Sequence, residues 1–277
     1  MRDSRGRIPV CCGCARADVL VFCFFMASVS GCHSVTSPYQ PPVGRVDSET
    51  LWRSARGAFW DPQTLLPLTG AVLFSLGDFD EKGSIWAQKH RPLFKTRARA
   101  NRASDDHLAV LVGEAMVTAL VRPAEVTAEA WSRQKARHLA AEGIVVGTTY
   151  AAIQGLKEGI GRTGPDGWKD TAMPSGHSSG AFLFSALSNR NLDALCQNRS
   201  LRVPLQVSNI ALAAGVGWAR VEGGHHFPSD VLAGAALGHF MAAFMHDVFL
   251  GRPSESTVAL AFNPSTEGGA VTVGIRF

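Results

Sequence analysis

Between Leu51 and the last twenty residues, this chain has almost no strict alternation of apolar and polar positions. Its apolar residues recur at helical spacing instead, which restricts the fold to packed helices. The spacing predicts helices at about 62–76, 105–121, 124–156, 176–192, 205–218 and 228–250. The third is expected to break near Gly143 or Gly147, because glycine weakens a helix interior. The apolar faces are rich in Ala, Gly and Leu, so the helices can approach closely. The tail differs. Val258, Leu260 and Phe262 alternate with other residues, Asn263-Pro264 turns, and Val271, Val273, Ile275 and Phe277 alternate again. That pattern predicts a hairpin laid against the bundle. The expected fold class is therefore all-α, a bundle of about six core helices with a short C-terminal β-hairpin.

The first residues read as a targeting segment. Arg2, Arg5, Arg7 and Arg16 precede a short apolar run at 19–29, and Val29-Ser30-Gly31-Cys32 has the form of a lipoprotein cleavage box. Residues 1–31 are read as a signal peptide, with Cys32 as the lipidation site. An uncleaved N-terminal anchor is the alternative, and both place the remainder outside the cytoplasm. His33 after Cys32 leaves no Asp retention signal. The expected location is thus the cell envelope of a Gram-negative cell, lipid-anchored on the periplasmic face of the outer membrane. Residues 32–50 form a Pro/Ser/Thr-rich tether, 51–256 the helical domain and 257–277 the hairpin extension.

Composition narrows the partners. The whole chain has 27 basic and 23 acidic residues; without the leader's four Arg and two Asp the balance is 23 against 21, or +2, which is no nucleic-acid signature. Once the leader cysteines and Cys32 are set aside, only Cys196 remains, so no internal disulfide is expected. Neither is a metal site or other cofactor, since no Cys/His cluster has zinc-like spacing. Glu114, Glu142 and His239 interrupt the apolar runs, which favours a water-soluble bundle over a membrane-embedded one. The stretch 78–102 carries Lys82, Lys89, Arg91, Lys95, Arg97, Arg99 and Arg102 beside Asp78, Asp80 and Glu81. It reads as a solvated loop, with contact to anionic headgroups as the alternative.

Chemistry concentrates in three stretches. Pro228 fits a first helical turn, which puts His226 at a helix entrance, and Asp230 four residues on shares its face. A carboxylate there can accept one imidazole N–H and leave the other nitrogen free to attack. Arg220 can fork onto two phosphoryl oxygens. His225 competes with His226 as nucleophile, but the spacings to Arg220 and Asp230 select His226. In Pro174-Ser175-Gly176-His177, Ser175 is a good N-cap, and a helix N-terminus seats anions. Ser175 and Gly176 would hold phosphate oxygens, and His177 would protonate a leaving alkoxide. Lys157 and Arg162 lie upstream and would neutralise phosphate charge.

These residues resemble the type 2 phosphatidic acid phosphatase superfamily, which includes lipid phosphatases, bacterial acid phosphatases and vanadium haloperoxidases. The resemblance spans about 105–250. Lys157 and Pro165 match the ends of its first motif, Pro174, Ser175, Gly176 and His177 its second, and Arg220, His226 and Asp230 its third. Gly164 stands where the first motif has a phosphate-binding Arg, and Arg162 is two residues away. The resemblance implies metal-independent hydrolysis of a phosphorylated lipid or small phosphate ester through phosphohistidine. The rivals are a non-specific acid phosphatase, a haloperoxidase holding vanadate, and a phosphate- or lipid-binding module with reduced catalysis. On the enzyme reading, Gly164→Arg should raise activity or leave it similar.

Overall fold

The computed structural model describes residues 46–122, 128–169, 172–251, 257–263 and 270–276. The signal peptide, Cys32 and most of the tether lie outside the described residues. Eight helices are described: α1 (Ser48–Trp60), α2 (Pro62–Ser75), α3 (Phe79–His90), α4 (Arg97–Val121), α5 (Ala128–Ile160), α6 (Gly176–Leu195), α7 (Arg199–Glu222) and α8 (Pro228–Leu250). Short side chains start several of them. Asp47 accepts the Thr50 N–H at 2.8 Å, and Asp61 accepts the Gln63 N–H at 2.9 Å with Pro62 opening the helix.

This corrects the expected fold class. Among the described residues there are eight helices, not about six, and the two strands are seen to pair only with each other. The segments Thr257–Asn263 and Ala270–Arg276 pair antiparallel with each other, and the packed core is built entirely from helices. The sequence reading missed α1 and α3 because both are short and polar on average. The supposed loop at 78–102 is α3 followed by the first turns of α4. Most of its charges face water, but Asp80 is buried against Arg162 and Ser229. α5 runs unbroken for 33 residues through Gly143 and Gly147, both of which face open space. Cys196 is fully buried and disulfide-bonded, not the lone thiol expected, and its partner lies outside the described residues.

The central pair is α6 and α8. α4 and α7 pack on α6, while α1, α2 and α5 pack on α8. The α6–α8 crossing depends on glycine. A Cβ at Gly238 would stand 2.0 Å from the Ser179 carbonyl oxygen, and one at Gly234 would stand 2.6 Å from that of Ser175. Around this crossing the core is small-residue rich. Leu111, Ala181, Ala213 and Val216 join α4, α6 and α7, and Val145, Leu183, Ala186, Leu187 and Ala242 join α5, α6 and α8. Among the described residues α8 alone is long and apolar enough to cross a bilayer, and 61% of its apolar window is buried inside the bundle. The packing brings the end of α5, the start of α6, the end of α7 and the start of α8 to one end of the molecule.

Candidate active site

At that end the interior is polar. His226 lies in the turn between α7 and α8 and is 7% exposed. Burial, first of all, pushes its imidazole below the usual histidine range; Arg220 and Lys157 push the same way and Asp230 opposes them. A neutral ring near neutral pH follows. Its Nδ1 stands 3.9 Å from Asp230 Oδ2, beyond hydrogen-bond length, and is buried without a partner. The expected His226–Asp230 hydrogen bond is therefore not formed, although such contacts often tighten only once substrate is bound. Asp230, fully buried, instead accepts the Phe227 N–H at 2.8 Å and Arg162 Nη1 at 2.9 Å.

The neighbouring histidine is fully engaged. His225 Nδ1 is 2.9 Å from Asp166 Oδ2, and its Nε2 is 3.0 Å from Asn101 Oδ1. Both His225 ring nitrogens are thus engaged, whereas His226 Nδ1 has no hydrogen-bond partner among the described residues. The turn that separates the two roles needs glycine. Gly224 sits at φ +70°, and a Cβ at Gly223 would come within 2.5 Å of Asn101 Oδ1.

His177, in the first turn of α6, points its Nε2 at Asp105 Oδ1 on α4, 3.1 Å away. Burial chiefly lowers its pKa, Arg220 and His226 add to the effect, and Asp105 works against it. Arg220 and Lys157 are both partly desolvated, and Lys157 feels Asp230 and Arg220. The buried Arg220 Nε has no hydrogen-bond partner. Thus His177, Lys157, Arg220, His226 and Asp230 lie close enough to influence one another's charge.

Two expected phosphate ligands are placed otherwise. Ser175 is fully buried; its hydroxyl caps α6 and its N–H donates to the Asp230 carbonyl at 2.9 Å. It bolts α6 to α8, leaving the N–H groups of Gly176 and His177 as the first-turn donors. Arg162 spends its guanidinium on Ser229 Oγ at 2.7 Å, Asp230 Oδ1 at 2.9 Å and Asp80 Oδ2 at 2.8 Å, and lies over the Phe227 ring. It does not fill the place left by Gly164; it braces the start of α8. At Gly164 itself a Cβ would stand 2.9 Å from Asp166 Oδ1 and 3.1 Å from the His225 carbonyl oxygen. An Arg there displaces Asp166 from His225.

Sequence reasoning missed Asp80, Asn101, Asp105 and Asp166. Each is far from its partner in the chain, 72 residues in the case of Asp105 and His177, and no local motif marks it. Only the α4–α6 packing makes the pairing visible.

The PAP2 superfamily model matches residues 109–253, more than half of the chain. The chain belongs to the PAP2 superfamily. The matched span includes Lys157, His177, Arg220, His226 and Asp230, and membership supports phosphatase chemistry in general. A lipid A 1-phosphatase of Rhizobium johnstonii is 37% identical over 111 residues, covering 34% of this chain and 41% of that protein. The chain therefore matches less than half the length of this relative. The crystal structure of a transmembrane PAP2-type phosphatidylglycerolphosphate phosphatase from Bacillus subtilis aligns with 82% of this chain and 93% of its own, at 20% identity and a TM-score of 0.39.

Proposed function

We propose that this PAP2 protein hydrolyses phosphate monoesters of membrane lipids through a phosphohistidine at His226. The single observation that carries this is a buried, neutral His226 with a nitrogen unpartnered, close enough to Arg220 and Lys157 to feel both charges. In the first step, an imidazole nitrogen of His226 attacks phosphorus and the ester P–O bond breaks. His177, held by Asp105, gives its proton to the departing alkoxide. Water, deprotonated by His177, then cleaves the phosphorus–nitrogen bond and releases phosphate. Lys157, Arg220 and the first-turn N–H groups of α6 hold the phosphoryl oxygens throughout, so fixed cations carry the charge stabilisation. Asp230 faces the imidazolium as it forms.

A lipid substrate is supported by the similarity to the lipid A 1-phosphatase of Rhizobium and by the apolar outside of the first helices. Trp52, Trp60, Leu66, Leu73 and Leu76 are exposed. The protein would act at a membrane surface of the cell envelope. The test is an assay of the purified full-length protein against phosphatidate in detergent and against a soluble aryl phosphate. Lipid phosphatase activity abolished by His226→Ala, with acid-quench trapping of labelled phosphohistidine in the wild type, is expected. Full activity in His226→Ala would overturn the mechanism. Preference for the aryl phosphate would overturn the lipid assignment in favour of a non-specific acid phosphatase.

A further inference from the structure

A layer of buried charge lies behind Asp230. Asp80, in the first turn of α3, and Asp230, in the first turn of α8, are both buried. One guanidinium joins them. Arg162 Nη2 donates to Asp80 Oδ2 at 2.8 Å, and Nη1 donates to Asp230 Oδ1 at 2.9 Å. Nη1 also donates to Ser229 Oγ at 2.7 Å, and that hydroxyl donates onward to Asp80 Oδ2. The Ser229 N–H donates to Asp80 Oδ1 at 2.8 Å. The Phe227 ring lies against the guanidinium, its centroid 4.6 Å from Arg162 Cζ.

Two buried carboxylates on one guanidinium are an expensive way to bolt α3 to α8, because a neutral pair of similar volume avoids the desolvation cost. The arrangement does something a neutral bolt cannot. Arg162 occupies Asp230 Oδ1, so Oδ2 is the oxygen turned to His226, with Nδ1 3.9 Å away. The Phe227 N–H holds that same Oδ2 at 2.8 Å, which fixes the carboxylate plane. Asp80, Arg162 and Asp230 also sum to a charge of −1. Asp80 belongs to none of the three motif stretches and precedes the matched span 109–253.

We propose that Asp80 is a positioning residue of the active site, which acts through Arg162 and Ser229 to hold the Asp230 carboxylate toward His226. The inference rests on the phosphatase reading and deepens it. Two consequences separate it from a structural bolt. Without the Asp80 carboxylate the guanidinium is free to swing and Asp230 to rotate, which costs turnover while Lys157 and Arg220 still hold phosphate. The charge also changes. His226 is faced by Asp230 on α8, Arg220 on α7, Lys157 on α5 and His177 on α6. Removing the Asp80 charge brings the sum over Asp80, Arg162 and Asp230 from −1 to zero, so the imidazolium at 226 becomes harder to form.

The test compares Asp80→Asn, Arg162→Gln and the double variant in the full-length protein, with phosphatidate in detergent as substrate. Asp80→Asn is expected to lower kcat about tenfold to a hundredfold and to leave KM within about threefold. Because Asp80 works through Arg162, the double variant should lose no more than Arg162→Gln alone. NMR of the His226 ring should show it titrating at lower pH in Asp80→Asn, and the acid limb of kcat/KM should move the same way. Additive losses in the double variant, or a His226 titration that stays put in folded Asp80→Asn, overturn the inference. Ser229→Ala removes the shared hydroxyl and no charge, and it serves if Asp80→Asn does not fold. It should lower kcat with KM held; an unchanged kcat overturns the inference. If the wild type hydrolyses no phosphate ester, the phosphatase reading fails, while a His226 titration lowered by Asp80→Asn still supports the link from α3 to the site.

Discussion

At the residue scale, the catalytic proposal separates two histidines by their surroundings. His226 is desolvated and surrounded by cations, which keeps it neutral. His177 must carry a proton to act as acid, and Asp105 is the group that favours that proton. The sign follows directly. Asp105→Asn removes the carboxylate that raises the His177 pKa, so the protonated fraction at any given pH falls. The alkaline limb of kcat/KM should then move to lower pH, with roughly tenfold lost activity near pH 7. A pH–rate profile of the variant checks this; an unmoved limb would mean that Asp105 only packs against His177. Gly164 gives a second residue-scale expectation. Position 164 lies against Asp166 and the His225 backbone, so Gly164→Arg should cut kcat/KM about tenfold or more, comparable with other losses of site geometry. This reverses the gain or neutrality that the sequence suggested, and steady-state kinetics decides between them.

At the element scale, the α6–α8 crossing sets the positions of His177 and Asp230. Ser175 begins α6 and donates to Asp230 on α8. Two turns of close backbone contact follow, where Gly238 meets Ser179 with no room for a methyl group. Gly238→Ala should push the helices apart and destabilise the fold by about 1–3 kcal/mol or more. Thermal unfolding measures this as a lowered Tm, and activity should fall with it because His177 and Asp230 ride on the two separated helices. At the other end of the crossing the helices are cross-braced by polar contacts. Asn191 on α6, fully buried, accepts from Arg122 Nη1 and donates to Glu142 Oε1 on α5 at 2.8 Å. The Glu142 that interrupts an apolar run in the sequence is thus paired, and a polar residue inside a helix face marks a bracing point here, not a solvent boundary.

At the scale of the whole molecule, one buried acid leaves a signature in stability. Glu114 is 1% exposed, neither of its oxygens has a hydrogen-bond partner among the described residues, and burial pushes its pKa up to about 7 from the usual 4.5. Between those values the folded state holds a proton that the unfolded chain has released. Stability therefore falls as pH rises through this window, and the loss is complete above about pH 7, on the order of 3 kcal/mol at most. Glu114→Gln should flatten that decline and raise Tm most above pH 7 and least near pH 4. Calorimetry across pH checks this; parallel curves for the two proteins would refute it.

The amino-acid sequence alone determined the helical class and marked three motif stretches with the candidate residues His177, Lys157, Arg220, His226 and Asp230, because helical periodicity and motif spacing are local properties of the chain. It did not determine that Arg162 and Ser175 would bond to the start of α8, that Asp105 would partner His177, or that the 78–102 segment would be mostly helical. Those outcomes depend on which side chains meet across the α4–α6 and α6–α8 packings. A guanidinium bonds whatever carboxylate tertiary contact brings within reach, and Asp80 lies 82 residues from Arg162. The helix count turned on the same physics. α1 and α3 are too polar to announce a core face, and they are held as helices by burying a few small residues, Ser54, Ala58, Ser84 and Ala87, against neighbours distant in the chain.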